Sequence, residues 1–240
     1  MKFELHDIAA AFSLLTRLPV PVDHARAGER GAAAAWAFPL VGAALGLAAG
    51  ILGWALLSAG VSAGMAAVFV IAAQVVMTGA MHEDGLADMA DGMGGFTVEK
   101  RLEIMKDSRI GAYGAIAIGL ALLARQSGIS EIPPPEMPLA LAALGAGSRA
   151  LMVAFMAWLP TARSGGLSKS AGKPEALPAL AIGLIAGLLA FGWAGFWIFA
   201  GMALVVSLLA LIAKARFGGQ TGDILGASQQ SAEITGLALL

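Results

Sequence analysis

Long apolar stretches alternate with short polar ones along this chain. Runs rich in Ala, Leu, Val, Ile and Gly at about 33–57, 61–81, 109–125, 138–159, 176–192 and 195–213 approach the roughly 20 residues a helix needs to cross a bilayer. The last two runs are short and share the break Gly192-Trp193-Ala194-Gly195. The tail from Asp223 to Leu240 is a seventh candidate, although Asp223, Gln229, Gln230 and Glu233 argue against full lipid exposure. The pattern predicts an all-α fold, a polytopic transmembrane helix bundle with six or seven spans. It reads as one integral membrane domain, 1–240, with an N-terminal segment 1–32, a mixed acidic and basic segment 82–109, and a C-terminal motif and tail 214–240.

Composition sharpens this. The chain is 58% hydrophobic and 13% charged, with mean hydropathy +0.81, whereas soluble domains carry about 25% charged residues. The 32 glycines suit close helix packing in lipid. Without cysteine there is no disulfide or thiolate chemistry. A net charge of -1 says nothing about nucleic acid, and no nucleic-acid partner is expected. No cleavable signal peptide is expected, because the start Met1-Lys2-Phe3-Glu4-Leu5-His6-Asp7 carries charges and lacks a compact apolar core.

All but Arg125 and Arg149 of the 15 basic residues fall in four segments: the N-terminus, 82–109, 161–175 and 214–222. With six spans these lie on one side, which the positive-inside bias makes cytoplasmic. Arg125 then lies beside an opposite loop, 126–137, stiffened by Pro133-Pro134-Pro135. The polar sequences 82–109, 161–175 and 214–233 should therefore converge on one face. The location expected is the cell inner membrane, multi-pass, with the active site facing the cytoplasm. There is no convincing internal repeat.

The chemistry concentrates in His82-Glu83-Asp84-Gly85-Leu86-Ala87-Asp88-Met89-Ala90-Asp91-Gly92. Asp84, Asp88 and Asp91 stand at i, i+4 and i+7, on one face of a helix. Carboxylates on one stripe repel unless a cation lies between them, and hard oxygen ligands favour Mg²⁺, which commonly grips substrate phosphates as well. Glu83 points about 100° away from Asp84. His82 reads as a group supporting the ligands, a general base or, most simply for a lone His, an interfacial residue. Downstream, Lys106 and Arg109 form a candidate phosphate clamp, with Asp107 orienting Arg109 or joining the metal shell; interfacial snorkelling is the plainer reading. Arg163-Ser164-Gly165-Gly166 reads as a cationic anion-binding turn or as a flexible loop. Arg149 lies deep in a span, where an ionisable residue is a functional candidate, its partner an acidic-helix carboxylate or a substrate phosphate. Asp223, Gln230 and Glu233 share a face of the last helix, making Asp223 and Glu233 candidates for a second metal; Thr221 or Asp223 caps that helix.

Together these segments resemble the cobalamin synthase family, the adenosylcobinamide-GDP ribazoletransferases. The resemblance is carried by Leu15-Thr16-Arg17-Leu18-Pro19-Val20-Pro21, Phe38-Pro39-Leu40-Val41-Gly42, His82 with Asp84-Gly85-Leu86-Ala87-Asp88 and Asp91-Gly92, Glu103 to Gly114, Arg163-Ser164-Gly165-Gly166, and Thr221-Gly222-Asp223 with Leu225-Gly226-Ala227. It runs in order over almost the whole chain. Glu83 departs from it, standing where the family usually has an apolar residue.

The resemblance implies a Mg²⁺-dependent membrane phosphotransferase. Its donor is adenosylcobinamide-GDP, its acceptor α-ribazole or the 5′-phosphate, and it releases GMP and forms adenosylcobalamin or its phosphate. Residues then take roles: Asp84, Asp88 and Asp91 on Mg²⁺, Asp223 and Glu233 on a second metal or the acceptor, Lys106, Arg109 and Arg163 on phosphates, and Asp91 or His82 as base. Trp36, Phe96 and Tyr113 would rim a wide opening for the corrinoid, or, as interfacial aromatics more often do, anchor the membrane boundary. A homo-oligomer or a complex with other cobalamin-pathway proteins stays open. Two rivals remain. A CDP-alcohol type phosphotransferase also uses aspartates at a membrane face, but usually carries an Ala-Arg that Ala87-Asp88 lacks. A divalent-cation transporter would need acidic residues at the bilayer midplane.

Overall fold

The computed structural model describes residues 3–162 and 172–240. All regular elements among them are helical, and one isolated bridge pairs Thr161 with Gln220. In chain order they are α1 (Leu5–Leu15), α2 (His24–Arg30), a 3-10 segment (Gly31–Ala37), α3 (Phe38–Ser58), α4 (Ala63–Thr78), α5 (Met81–Gly92), α6 (Val98–Ile104), α7 (Ala112–Glu131), α8 (Met137–Trp158), α9 (Ala176–Phe191), α10 (Ala194–Phe217) and α11 (Gly222–Ala238). Each of the six predicted apolar runs is a helix. Among the described residues four helices are long and apolar enough to cross a membrane, five if the bent pair α4–α5 counts as one span; α9, at 16 residues, falls short of a full crossing.

Helix α8 forms the centre, with 78% of its most apolar window buried. It packs on α3 through a glycine ladder: Gly42, Gly46 and Gly50 lie directly on the backbone of Gly145, Leu141 and Pro138, where no Cβ fits. Glycines four apart align on one helix face and let backbones approach closely. The outer faces carry exposed Leu47, Ile51 and Trp54 on α3, Ile116, Leu120 and Leu123 on α7, and Leu204, Leu208 and Leu211 on α10. Such a surface suits lipid, where exposed apolar side chains cost nothing.

Between α4 and α5 the chain bends by 89°. Gly79 (φ 67°) and Ala80 (φ 59°) both adopt the left-handed conformation, which costs an alanine about 1–2 kcal/mol. The Ala80 N–H donates to the Val75 carbonyl at 2.9 Å and closes the end of α4. The Arg17 N–H donates to the Met77 carbonyl at 2.8 Å, and the Arg17 side chain lies over Gly79. The bend turns the acidic segment away from the α4 axis.

The tail reads differently in three dimensions. Helix α11 is threaded into the bundle, with Ser228, Gln229, Gln230 and Glu233 all buried. Helix α7 runs to Glu131, beyond the predicted end at 125, because Gly128 packs on Leu237 and Ile129 is buried. Arg125, expected beside a loop, is therefore a buried residue in mid-helix.

Candidate active site

Helix α5 is the least hydrophobic of the longer helices, and neighbours on two sides fix its position. Against α11 the contact is backbone to backbone. A Cβ on Gly85 would sit 2.5 Å from the Asp223 carbonyl oxygen, and one on Gly226 would sit 3.1 Å from His82 Cα. The crossing seats Asp223 beside the turn holding Asp84 and Asp88. Thr221 caps α11, its Oγ1 accepting from the Ile224 N–H at 3.3 Å; it also donates to Asp223 at 3.3 Å. The choice of cap left open by the sequence falls to Thr221.

At its other end α5 meets α7. Asp91 Oδ2 accepts the Gly111 N–H at 2.7 Å and Oδ1 the Gly114 N–H at 2.8 Å. Both glycines press on this carboxylate, leaving no room for a Cβ. A carboxylate on unsatisfied N–H groups at a helix N-terminus is favoured by hydrogen bonding and by the helix dipole. Both oxygens of Asp91 thus cap α7, although the i+7 spacing alone grouped it with Asp84 and Asp88.

The described parts of the polar segments converge. Gln220 N–H donates to the Pro160 carbonyl at 2.8 Å and Ala162 N–H to the Gln220 carbonyl at 2.9 Å, so the strand leading out of α8 runs beside the approach to Asp223. Arg163, Ser164, Gly165 and Gly166 follow at once but lie outside the described residues. Arg101, buried, donates to the Arg216 carbonyl at 3.0 Å and ties α6 to the end of α10. Lys106 is exposed. Arg109 is 87% exposed and pairs with Asp107 at 2.7 Å. Hydrogen bonds from the Arg109 side chain and backbone hold the Asp107 carboxyl down to about 2. Asp107 thus orients Arg109, one of its two expected roles. Phe96 and Tyr113 are exposed, the latter alongside Gly94. Trp36 is not with them: its Nε1–H donates to buried Asp7 at 2.7 Å and its ring packs on Phe3.

As a metal site, the accessible donors are hard carboxylate oxygens on Asp84, which is exposed, and on half-buried Asp88 and Asp223. Among the described residues no three His, Asp or Glu side chains close into a cage. That donor set fits Mg²⁺, which takes one or two carboxylates and completes its shell with water and phosphate oxygens.

The inner face of α5 departs most from expectation. Glu83, 100° round from Asp84, is buried and accepts from Arg125 Nη1 at 2.8 Å and Gln230 Nε2 at 3.1 Å. Arg125 also donates to Gln74 at 2.7 Å and pairs with Glu233 at 3.4 Å. Glu233 further accepts from Gln229 at 2.6 Å and from Arg149 at 3.3 Å. Two guanidinium groups and an amide thus occupy Glu233, which corrects its assignment as a metal ligand. Arg149, a phosphate-site candidate by sequence, is likewise buried, its stem against Gly42, and its acidic partner is on α11. His82 is 2% exposed, with Nε2 unpaired in a cavity of about 10 Å³ within this network. Buried on the side away from Asp84, it cannot reach a substrate there as a base. Sequence reasoning missed Gln74, Arg125, Gln229 and Gln230 as one unit. Gln74 in an apolar span and Arg125 in an apolar helix were the available signals, since such polar residues face partners.

The cobalamin-5-phosphate synthase family model matches residues 7–240. A Sinorhizobium protein named adenosylcobinamide-GDP ribazoletransferase is 43% identical, covering 98% of this chain and 95% of that protein. Proteins of the same name from Mesorhizobium japonicum and Bradyrhizobium diazoefficiens are each 42% identical, covering 96% and 95% of this chain and 90% of each relative. No solved structure matches.

Proposed function

The chain belongs to the cobalamin-5-phosphate synthase family, and from that premise we propose that it transfers adenosylcobinamide phosphate from adenosylcobinamide-GDP to α-ribazole or its 5′-phosphate. It is a helical membrane enzyme, a transferase of cobalamin biosynthesis. In the proposed reaction a ribose hydroxyl attacks the phosphorus next to the aminopropanol arm. A new P–O bond forms, the P–O–P bond to GMP breaks, and the hydroxyl proton leaves. The active site opens at the bundle end bearing α5 and the basic segments, which the Lys/Arg bias assigns to the cytoplasmic side of the inner membrane.

The observation that carries the site assignment is the seating of Asp223 on Gly85, next to Asp84 and Asp88. In our reading one or two of these carboxylates would hold Mg²⁺, with water and phosphate oxygens completing its shell. A bound Mg²⁺ would offset charge on the diphosphate and the leaving phosphate. Lys106 and Arg109 bind phosphate oxygens, with Asp107 presetting the Arg109 fork. Arg163 is assigned the same role from the resemblance. With His82 buried and Asp91 capping α7, the hydroxyl proton falls to a carboxylate of the Asp84, Asp88 and Asp223 group.

The test is turnover of adenosylcobinamide-GDP plus α-ribazole by purified, detergent-solubilised protein, with Mg²⁺ and with EDTA. GMP release coupled to cobalamin formation and lost in EDTA is expected. Well-folded protein that stays inactive with Mg²⁺ would sink the reading and turn attention to CDP-linked donors.

A further inference from the structure

Glu83 and Asp84 are neighbours in sequence and about 100° apart on α5. Any clamp on Glu83 therefore fixes the rotation of α5 about its axis, and with it the direction of Asp84 and Asp88. The structure shows such a clamp. One Glu83 oxygen takes Arg125 Nη1 at 2.8 Å and Gln230 Nε2 at 3.1 Å, from two different helices. Arg125 is in turn held by Gln74 of α4 and Glu233 of α11. Helix α5 needs such a hold. It has only 12 residues, little apolar surface, a left-handed Ala80 at its start and an 89° bend before it. The network contains two carboxylates and two guanidinium groups, so it is charge-balanced without a ligand. A balanced, buried, many-partnered network costs desolvation and adds little net stability over an apolar core; what it supplies is one defined arrangement.

We propose that Arg125, acting through Glu83, is a positioning residue for the outer-face carboxylates. It locks the roll of α5 so that Asp84 and Asp88 face Asp223 and the incoming diphosphate. This rests on the assignment of that outer face to the chemistry. Arg125 itself touches no substrate, since it is buried on the other side of the helix.

The test uses the full chain and a double variant, Glu83→Gln/Arg125→Gln, which keeps the buried charge balanced through Arg149 and Glu233. Glu83→Gln alone, which retains the Arg125 hydrogen bond, serves if the double variant folds poorly. The chain has no cysteine, so Ala87→Cys provides a single thiol. Ala87 is 4% exposed and stacks one turn from Glu83 on the same face. In the parent background this thiol should resist a polar maleimide, while Met81→Cys, at an exposed position, reacts. In the double variant Ala87→Cys should label about tenfold faster, as a released local element opens. There kcat should fall on the order of 100-fold with KM little changed, the loss expected of misplaced rather than missing groups. A thiol that stays protected and an unchanged kcat in a folded double variant would overturn the proposal and leave the network a plain structural brace. Should the parent show no transfer at all, the reaction reading fails by itself, and the labelling still decides whether the network sets the roll.

Discussion

On one side of α5, Asp84 is open to solvent and Asp88 half so. On the other side Glu83 is sealed among Arg125, Gln230 and Gln74, and its charge is matched within hydrogen-bond distance. The residue class is the same and the separation along the chain is a single residue. A buried carboxylate must have its counter-charge in place before the protein functions, because no water can shield it. A carboxylate at an opening can take its counter-charge from what arrives. The outer face is thus suited to exchanging ligands and the inner face to holding geometry.

The largest effect expected is at the outer face. Asp88→Asn should abolish transfer, a fall of about 10³-fold, with expression and melting temperature unchanged; normal turnover would break the distinction at its strongest point. At the inner face the penalty should appear in stability as well as in kcat. Arg125→Ala strips one charge from a buried set and should cost about 3–5 kcal/mol, read as a lower thermal midpoint in detergent whether or not substrate is present. The seam between the faces comes next. Gly85→Ala places a methyl group 2.5 Å from the Asp223 carbonyl oxygen, and overpacking of this kind costs about 1–3 kcal/mol. Because it parts α5 from α11, activity should fall with stability. Gly119→Ala meets nothing within 4 Å on α7 and should leave activity intact while raising helix stability by up to about 1 kcal/mol.

The smallest effect expected is a null one. The Asp107 carboxyl, held at about 2 by Arg109, lies below its unfolded value of 3.8. A depressed carboxylate stabilises above the unfolded value and loses that contribution only as pH falls through the folded value. Between pH 5 and 9 the pair stays fully charged. The pH profiles of the parent and Asp107→Asn should therefore have the same shape over that range, with the variant lower in level if Arg109 loses its orientation. A shifted limb would mean that Asp107 exchanges protons during turnover.

The helices were legible because their signal is local and redundant: each apolar run carries many residues that agree. The convergence of the basic segments followed from charge placement alone, and the structure joins them through Gln220 with Pro160 and Arg101 with Arg216. The i, i+4 pairing of Asp84 and Asp88 was legible for the same local reason. Spacing could not tell that Asp91 serves α7, since its partners are the N–H groups of glycines 20 and 23 residues away.

Composition and periodicity determined that this chain is a membrane helix bundle with carboxylates and cations gathered at one end, because hydropathy and helical pitch are properties of neighbouring residues. Tertiary structure decided which charges are consumed inside. Glu83, Arg125, Arg149 and Glu233 come from four different helices, and the sequence does not state how those helices roll against one another. In a low-dielectric interior each of these charges must find a partner, and only the packing of α5, α7, α8 and α11 determines which partner it finds.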